Sequence, residues 1–353
     1  MKTITIVTPT YNRGEKLKNA YKSLIKQTVY DFEWLIIDDG SNDNTENIVK
    51  TFKKQSLFTI KYIKQENDNY KTLRQVLDSQ FKISYILRLK LKRNNHIFVN
   101  AENTYLDHEL MVGDTIIVDL DFDEENNNIV PFKMNLDIIY EDDAILVLNK
   151  PAGVAIHPSM RHFEDTLSNG IKYYFDSINL KRKIRPVNRL DSDTSGVVIF
   201  AKNEYVHSIL STEMQKGLFK KEYIAICTGI FDKKDGTINA PIGRKNNSII
   251  ERCVRDDGQE AITHYRVLNE FCNNDIAYSE LLINLETGRT HQIRVHTAYI
   301  GHPILGDSLY DNESNLINRQ ALHAYKVKFI HPITNKQLEF IAPIPDDMKL
   351  LLN

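Results

Sequence analysis

The sequence predicts one principal domain preceded by two small ones, the first of them of α/β type. Three observations carry this: a length of 353 residues, a βαβ pattern at the N-terminal end, and charges sorted into successive basic and acidic blocks. Ile4 to Arg13 reads as a strand and a turn, Glu15 to Gln27 as an amphipathic helix, and Trp34 to Ile37 as a second, buried strand that exits through Asp38 and Asp39. Such a unit begins a parallel sheet. A carboxylate at the carboxyl end of a parallel strand is well placed to accept hydrogen bonds from a ribose. The first 67 residues are too few to complete the sheet, so an edge and its faces stay uncovered and its core is marginal alone.

The next block is basic. Between residues 71 and 100, Lys71, Arg74, Lys82, Arg88, Lys90, Lys92 and Arg93 oppose a single acid, Asp78, for a net charge of +6, although the whole chain carries 45 basic and 47 acidic residues and a formal charge of -2. A patch of this kind suits phosphates. Charge alone favours the plainer reading of a solvated helix face. Residues 101 to 150 are acidic, and Asp119 to Asn128 reads as a solvated linker.

The principal domain holds the segment with the most chemistry. Asn188-Arg189-Leu190-Asp191-Ser192-Asp193-Thr194-Ser195-Gly196 leads into the apolar run Val197 to Phe200, a short buried strand. Asp191 therefore lies on a loop entering a strand, where scaffolds commonly hold reactive groups. Arg189 and the hydroxyls of Ser192, Thr194 and Ser195 favour its ionised form. An ionised carboxylate is a nucleophile toward a sugar carbon or a base ring. The competing reading is a turn in which Asp191 and Asp193 cap backbone amides.

His291, His296, His302 and His323 invite a metal site, but a spacing of five residues puts His291 and His296 on different faces of either a helix or a strand, and no Cys or acid stands at ligand spacing. Hydrogen-bonding and packing roles are expected for them. Cys227, Cys253 and Cys272 are scattered and odd in number, as reduced cytosolic thiols are.

Taken in order, Leu148 to Pro158 (LNKPAGVAIHP), Asn188 to Lys202, Lys221-Glu222-Tyr223-Ile224-Ala225, Glu286 to His296 (ETGRTHQIRVH), Gly301 to Asp307 and Leu322-His323-Ala324 resemble the RluA family of RNA pseudouridine synthases over residues 131–353. The resemblance implies an α+β catalytic domain with a mixed, largely antiparallel sheet and a central RNA-binding cleft. It implies that Asp191 is the catalytic aspartate, Tyr223 the active-site tyrosine, and Arg294 the arginine that pairs with the aspartate. Arg189 matches the arginine that helps displace the target base. Asn188 departs from the pattern, because many members carry His there. No metal or organic cofactor is implied, since the isomerisation is redox-neutral. Large-subunit ribosomal RNA is the implied target, with transfer RNA as the alternative.

Residues 68–122, through Thr72 to Leu77, Ile86 to Arg93, Ile97 to Asn100 and Met111 to Ile116, resemble a diverged S-four-type RNA-binding domain, which gives Lys71, Arg74, Arg88, Lys90, Lys92 and Arg93 a role on RNA. Residues 123–130 are then the linker. Residues 1–67 resemble the opening of a family-two glycosyltransferase, in which the carboxylates matching Asp38 and Asp39 lie near the sugar-nucleotide. That likeness stops before an acceptor half. Asp119-Leu120-Asp121 offers an Asp-x-Asp, but Ile116 to Val118 fits better as the end of the small RNA-binding domain. The expected function is an RNA pseudouridine synthase. Its rivals are a non-catalytic RNA-binding ribosome-assembly factor and a sugar-nucleotide transferase. The start carries no signal-peptide pattern and no apolar run reaches the roughly 20 residues of a membrane span, which predicts a soluble cytoplasmic protein.

Overall fold

A computed structural model of the chain describes residues 4–10, 12–30, 32–38, 40–41, 43–64, 71–111, 113–159, 163–273, 276–311 and 314–352. Asp39, Tyr11 and the stretch 65–67, all read from sequence above, lie outside the described residues. The chain divides into two compact units, Met1–Val76 with Leu106–Gly113 and Leu77–Tyr105 with Asp114–Asn353.

In the first unit, β1 (Ile4–Thr10), α1 (Gly14–Leu24), β2 (Phe32–Asp38), α2 (Thr45–Gln55) and β3 (Thr59–Lys64) form a three-stranded parallel sheet in the order β1-β2-β3. The strand period of two turns Phe32, Trp34 and Ile36 of β2 to one face, where they pack with Leu17 and Tyr21 of α1 and Ile48, Val49 and Phe52 of α2. Asp38 continues the same alternation and is fully buried. One of its oxygens accepts the Ser41 backbone N–H at 2.9 Å and the Ser41 hydroxyl, and the other accepts the Tyr62 hydroxyl. At the end of this unit α3 (Leu73–Ser79) begins, and the Leu73 and Arg74 amides donate to the carbonyls of His108 and Leu106.

The second unit opens with α4 (Tyr85–Arg93), whose N-cap Ser84 accepts the Leu87 amide at 3.2 Å. It is followed by the small antiparallel sheet of β4 (Ile97–Val99), β5 (Glu102–Asn103) and β6 (Ile116–Val118), in the order β5-β4-β6. The acidic stretch that follows is solvated only in part: Asp121, Asp123 and Glu125 are exposed, as the sequence suggested, whereas Glu124 and Asn126 are buried. The Glu124 side chain is 4% exposed and is held by Arg185 at 2.7 Å through both guanidinium nitrogens and by Lys90 at 2.7 Å. Burial opposes its charge, but the bonds from Arg185 and Lys90 outweigh it and hold the carboxyl below its ordinary pKa. Asp121 pairs with Arg182, and Ile129 enters the core between β8 and α5 defined below. Cations in the adjoining chain draw the strap down, and composition does not record them.

The large sheet runs through β7 (Ile138–Glu141), β8 (Ile145–Lys150), β9 (Arg185–Pro186), β10 (Ser195–Ala201), β11 (Lys220–Thr228), β12 (Asp235–Asn239), β15 (Ile262–Asn273), β16 (Ile276–Leu285), β17 (Leu322–Ile330) and β18 (Gln337–Ile341). A separate hairpin pairs β13 (Ile242–Arg244) with β14 (Arg252–Val254), and the helices are α5 (Leu167–Ser177), α6 (Glu204–Gln215), α7 (Gln292–Tyr299) and α8 (Asp346–Leu352). The main order is β12-β15-β16-β11-β17-β10-β8-β7, with β18 on β17 and β9 on β10. The fold is therefore α+β with a mixed, largely antiparallel sheet, as the resemblance implied.

One junction positions the site. β10 pairs with β17 in parallel through only two register pairs, Ser195 with His323 and Gly196 with Ala324, whereas the other pairings within this sheet are antiparallel. Two antiparallel halves thus meet at a short seam, and the chain entering β10 is the loop that carries Asp191. Gly196 sits in that seam at φ +113°, where a Cβ would overlap the Ala324 carbonyl. On one side of the seam β11, β16 and α7 share a core with Ile304 and Leu322; on the other, β8 and β10 pack on α5 and α6. No described helix is long and apolar enough to cross a membrane.

Candidate active site

The loop before β10 is fixed through its backbone. The Asn188 side chain donates to the Val197 carbonyl at 3.0 Å and accepts the Ile199 amide at 2.9 Å, so this buried residue ties the loop's entrance to β10. The Ser192 carbonyl accepts the Lys150 ammonium at 2.6 Å and the Gly153 amide at 3.0 Å. The Asp193 carbonyl accepts Arg319 at 3.1 Å, and the Thr194 amide donates back to the Asp191 carbonyl at 3.2 Å. Ser195 closes the loop with a 2.9 Å bond to His323 Nδ1, and His323 Nε2 faces the Ala342 carbonyl at 3.2 Å. That carbonyl requires the proton on Nε2, so Ser195 donates to Nδ1. Burial takes the His323 pKa down to about 4.

Lys150 is fully buried at the end of β8 and donates to three carbonyls, those of Pro151 (2.8 Å), Val154 (2.6 Å) and Ser192 (2.6 Å). Burial lowers its pKa to about 7, with Asp193 and Asp191 acting against that shift and Arg319 adding to it. Three acceptors match the three N–H bonds of an ammonium. Arg319 is itself aimed by a bidentate pair with Asp347 of α8, at 2.6 and 2.9 Å.

Arg294 lies in the first turn of α7, on the other half of the sheet. Its Nη1 donates to Asp191 Oδ2 at 2.9 Å, while Nε and Nη2 make a fork onto Asp307 at 2.7 and 2.8 Å. Asp307 is fully buried, so Arg294 cannot swing away without stranding a buried carboxylate. Burial disfavours the guanidinium charge, but Asp307 and then Asp191 outweigh it, and the Arg294 pKa is raised above its ordinary value. His291, at φ 57° just before α7, sets its Nε2 3.8 Å from Asp191 Oδ2 and its Nδ1 2.8 Å from the Tyr310 hydroxyl. The Tyr310 oxygen also accepts the Arg252 amide at 2.9 Å, which fixes the phenol beside the imidazole.

Tyr223 enters from β11. The register of β11 against β17 shifts between Glu222 and Ile224, a bulge that turns Tyr223 toward the junction. The ring is 6% exposed, and burial together with the Asp191 charge pushes its pKa above the ordinary tyrosine value. The phenol is thus protonated at rest and serves as a hydrogen-bond donor or relay rather than as a standing base. Asp191, Tyr223, Arg189, Leu285, His291 and Arg294 line one small pocket, which brings together all three residues expected in catalysis. Asp191 keeps 29% of its side chain exposed there. Arg189 is exposed at the rim, with no partner among the described residues.

The basic residues expected on RNA are scattered in role. Lys71 and Arg74 are exposed in the first unit. In the second unit, Arg93 is exposed, Lys92 lies 3.8 Å over the Tyr105 ring and donates to the Thr104 carbonyl, and Lys90 is bound by Glu124 and Glu204. Arg88 corrects the expectation. Its side chain is 8% exposed and pairs with Asp78, so the single acid of the block takes one of the cations inward, away from any phosphate. The histidines hold to hydrogen bonds and packing: His296 bridges Thr263 and the Ala240 carbonyl, and His302 stacks on Phe231. Among the described residues no cluster of His, Cys, Asp and Glu would hold a metal ion.

Sequence reasoning passed over Lys150, Asp307 and Arg319, and gave His291 a hydrogen-bonding or packing role without placing it beside Asp191. Lys150 and Asp307 stand inside quoted motifs, and a charged residue within an apolar, glycine-punctuated segment is a usable signal of a buried partner. Arg319 gives no local signal, because its partners lie 126 and 28 residues away.

Comparison with known proteins follows the same division. Residues 144–299 match the family described as RNA pseudouridylate synthase, and residues 5–74 match glycosyl transferase family 2. An uncharacterised RNA pseudouridine synthase of Bacillus subtilis (strain 168), YjbO, is 42% identical over 254 residues, covering 72% of this chain and 88% of that protein. A ribosomal large subunit pseudouridine synthase D of Neisseria meningitidis serogroup A is 37% identical over 73% of this chain and 71% of its own length. The solved structure of human RNA pseudouridylate synthase domain containing 1 aligns with a TM-score of 0.51 and 27% identity, over 59% of this chain and 83% of that one.

Proposed function

Because this chain belongs to the RluA family of RNA pseudouridine synthases, and so isomerises uridine in RNA, we propose that Asp191 is its nucleophile and large-subunit ribosomal RNA its substrate. The observation that carries the first part is the chain of contacts from Asp307 through Arg294 to Asp191, which ends in a carboxylate still open to a pocket. The second part rests on the relatives named for the large subunit.

A uridine must leave the stack to reach this pocket, and Arg189 at the rim takes the place it vacates. Asp191 adds to the anomeric carbon or to the base ring as the N1–C1′ bond breaks. The uracil turns, C5 bonds to C1′, and Asp191 leaves. The C5 proton is lost and N1 gains one, so the reaction is redox-neutral and balanced without a cofactor. Arg294 holds the carboxylate aimed at the pocket, while Tyr223 packs on the uracil and relays the proton. Lys71, Arg74, Lys92 and Arg93 add phosphate contacts outside the pocket.

The test is a nucleotide-resolution map of pseudouridine in unmodified ribosomal and transfer RNA incubated with wild-type or Asp191→Asn protein. A large-subunit site formed by wild type alone supports both parts. A transfer RNA site alone overturns the substrate, and modification by the variant overturns the nucleophile. RNA bound but never modified favours an assembly factor.

A further inference from the structure

Lys221 stands two residues before Tyr223 on β11, half-buried, with no hydrogen bond or ion pair among the described residues. Its neighbours differ. Lys326 is paired with Glu222 at 2.9 Å and Lys328 with Glu339 at 3.9 Å, while Glu286, which lines the same surface, faces His264 at 2.6 Å, so each of these carboxylates has a partner other than Lys221. Burial alone lowers the Lys221 pKa from the ordinary lysine value. A cation set into a protein without a counter-charge is unfavourable, and the cost is recovered when an anion arrives.

The surroundings identify the anion. Lys216, Lys220, Lys221, Gly288 and Arg289 line a groove that shares Leu285 and Arg289 with the pocket over Asp191, so the two are continuous. The Lys221 ammonium lies 3.6 Å from the point where Gly288 would carry a Cβ, and the missing side chain leaves the space before it open. A strand whose base enters the pocket carries its phosphates along this groove.

We propose that Lys221 binds a backbone phosphate of the RNA strand beside the uridine that enters the Asp191 pocket. Exposed Lys216 and Lys220 extend the same electrostatic track, and Lys221 makes the deepest contact because it is half-buried and carries no ion pair among the described residues. This rests on the reading of the chain as an enzyme acting on RNA.

The experiment titrates Lys221→Met, Lys221→Arg and wild type with an unmodified large-subunit rRNA transcript across a salt series, and measures kcat and KM in parallel. A charge-assisted contact predicts that Lys221→Met weakens binding and raises KM about 10-fold or more. Its kcat stays close to wild type, and the slope of log K against log salt becomes shallower by about 0.7 to 0.9. Lys221→Arg restores both slope and KM. The melting temperature of Lys221→Met stays at or above wild type, because an unpaired buried charge is removed; a purely structural role lowers it and overturns the proposal. Unchanged affinity and slope overturn it as well. Should Lys221→Met fail to fold, Gly288→Ala, which narrows the opening, is expected to raise KM, and an unchanged KM overturns the proposal. Binding is read apart from turnover, so wild type that binds but forms no pseudouridine counts against the functional reading, not against this contact.

Discussion

Asp38 and Asp191 are both carboxylates at a strand end, each inside a segment that resembles a known active site, and the fold treats them oppositely. Asp38 is fully buried, and both its oxygens are occupied, one by Ser41 and the other by Tyr62. Asp191 has one oxygen fixed by Arg294 and remains 29% exposed to a pocket that also holds Tyr223. The first has become part of a small parallel sheet's own hydrogen bonding, whereas the second is held from behind and left open in front. A carboxylate is chemically useful when its partners orient it without satisfying it. Residue type and motif do not distinguish the two cases, but the partners do.

The comparison breaks most sharply at Asp191 itself. Asp191→Asn is expected to lower isomerisation by at least about 10⁴-fold while RNA binding persists. Turnover near wild type in single-turnover assays would remove the basis for contrasting the two sites. Next in size, Arg294→Lys keeps a positive charge but cannot fork onto Asp307 and reach Asp191 together, and a loss of about 10² to 10³-fold in kcat is expected with KM little changed. A change in KM alone would show that Arg294 binds RNA rather than aiming the nucleophile.

A smaller effect concerns stability. The His323 pKa is about 4 in the fold against an ordinary 6.5, so its contribution is complete above pH 6.5 and is lost as the pH falls through 4. The difference amounts to about 3 kcal/mol. Urea unfolding from pH 7 to pH 4 should show this slope in wild type and a flatter one in His323→Gln, and parallel slopes would mean that the buried imidazole is not what couples the β10–β17 seam to acid. Least affected of all, isomerisation should survive Asp38→Asn or removal of residues 1–67. The Asp38 variant is expected to cost about 1 to 3 kcal/mol in the first unit alone. Loss of pseudouridine in either folded variant would make the first unit part of the enzyme and collapse the contrast.

Much of the candidate site was legible because its groups sit in motifs whose order and spacing resemble a known family. Asp191 stands in a punctuated loop before an apolar strand, Tyr223 in an alternating strand, and Arg294 in a dense polar motif, and all three reach one pocket. The basic block was misread in part for the converse reason. Counting charges left Arg88 and Lys90 free, whereas Asp78, Glu124 and Glu204 hold them. Within the acidic stretch, Glu124 alone of the acids was wrongly taken as solvated, for want of Arg185, 61 residues further on.

The sequence by itself determined the strand, helix and buried strand of the α/β opening, the apolar strand after Asp191, and the residues able to do chemistry, because hydrophobic period and side-chain type are local properties. Tertiary structure alone decided which of those residues are available. It joined two antiparallel halves through a two-pair parallel seam at Gly196 and put Asp307 behind Arg294. It hung the loop of Asp191 on Lys150 and Arg319, and left Lys221 without an ion pair among the described residues. Each of these depends on which distant charge fills a given space, and electrostatic pairing across a fold has no period in sequence.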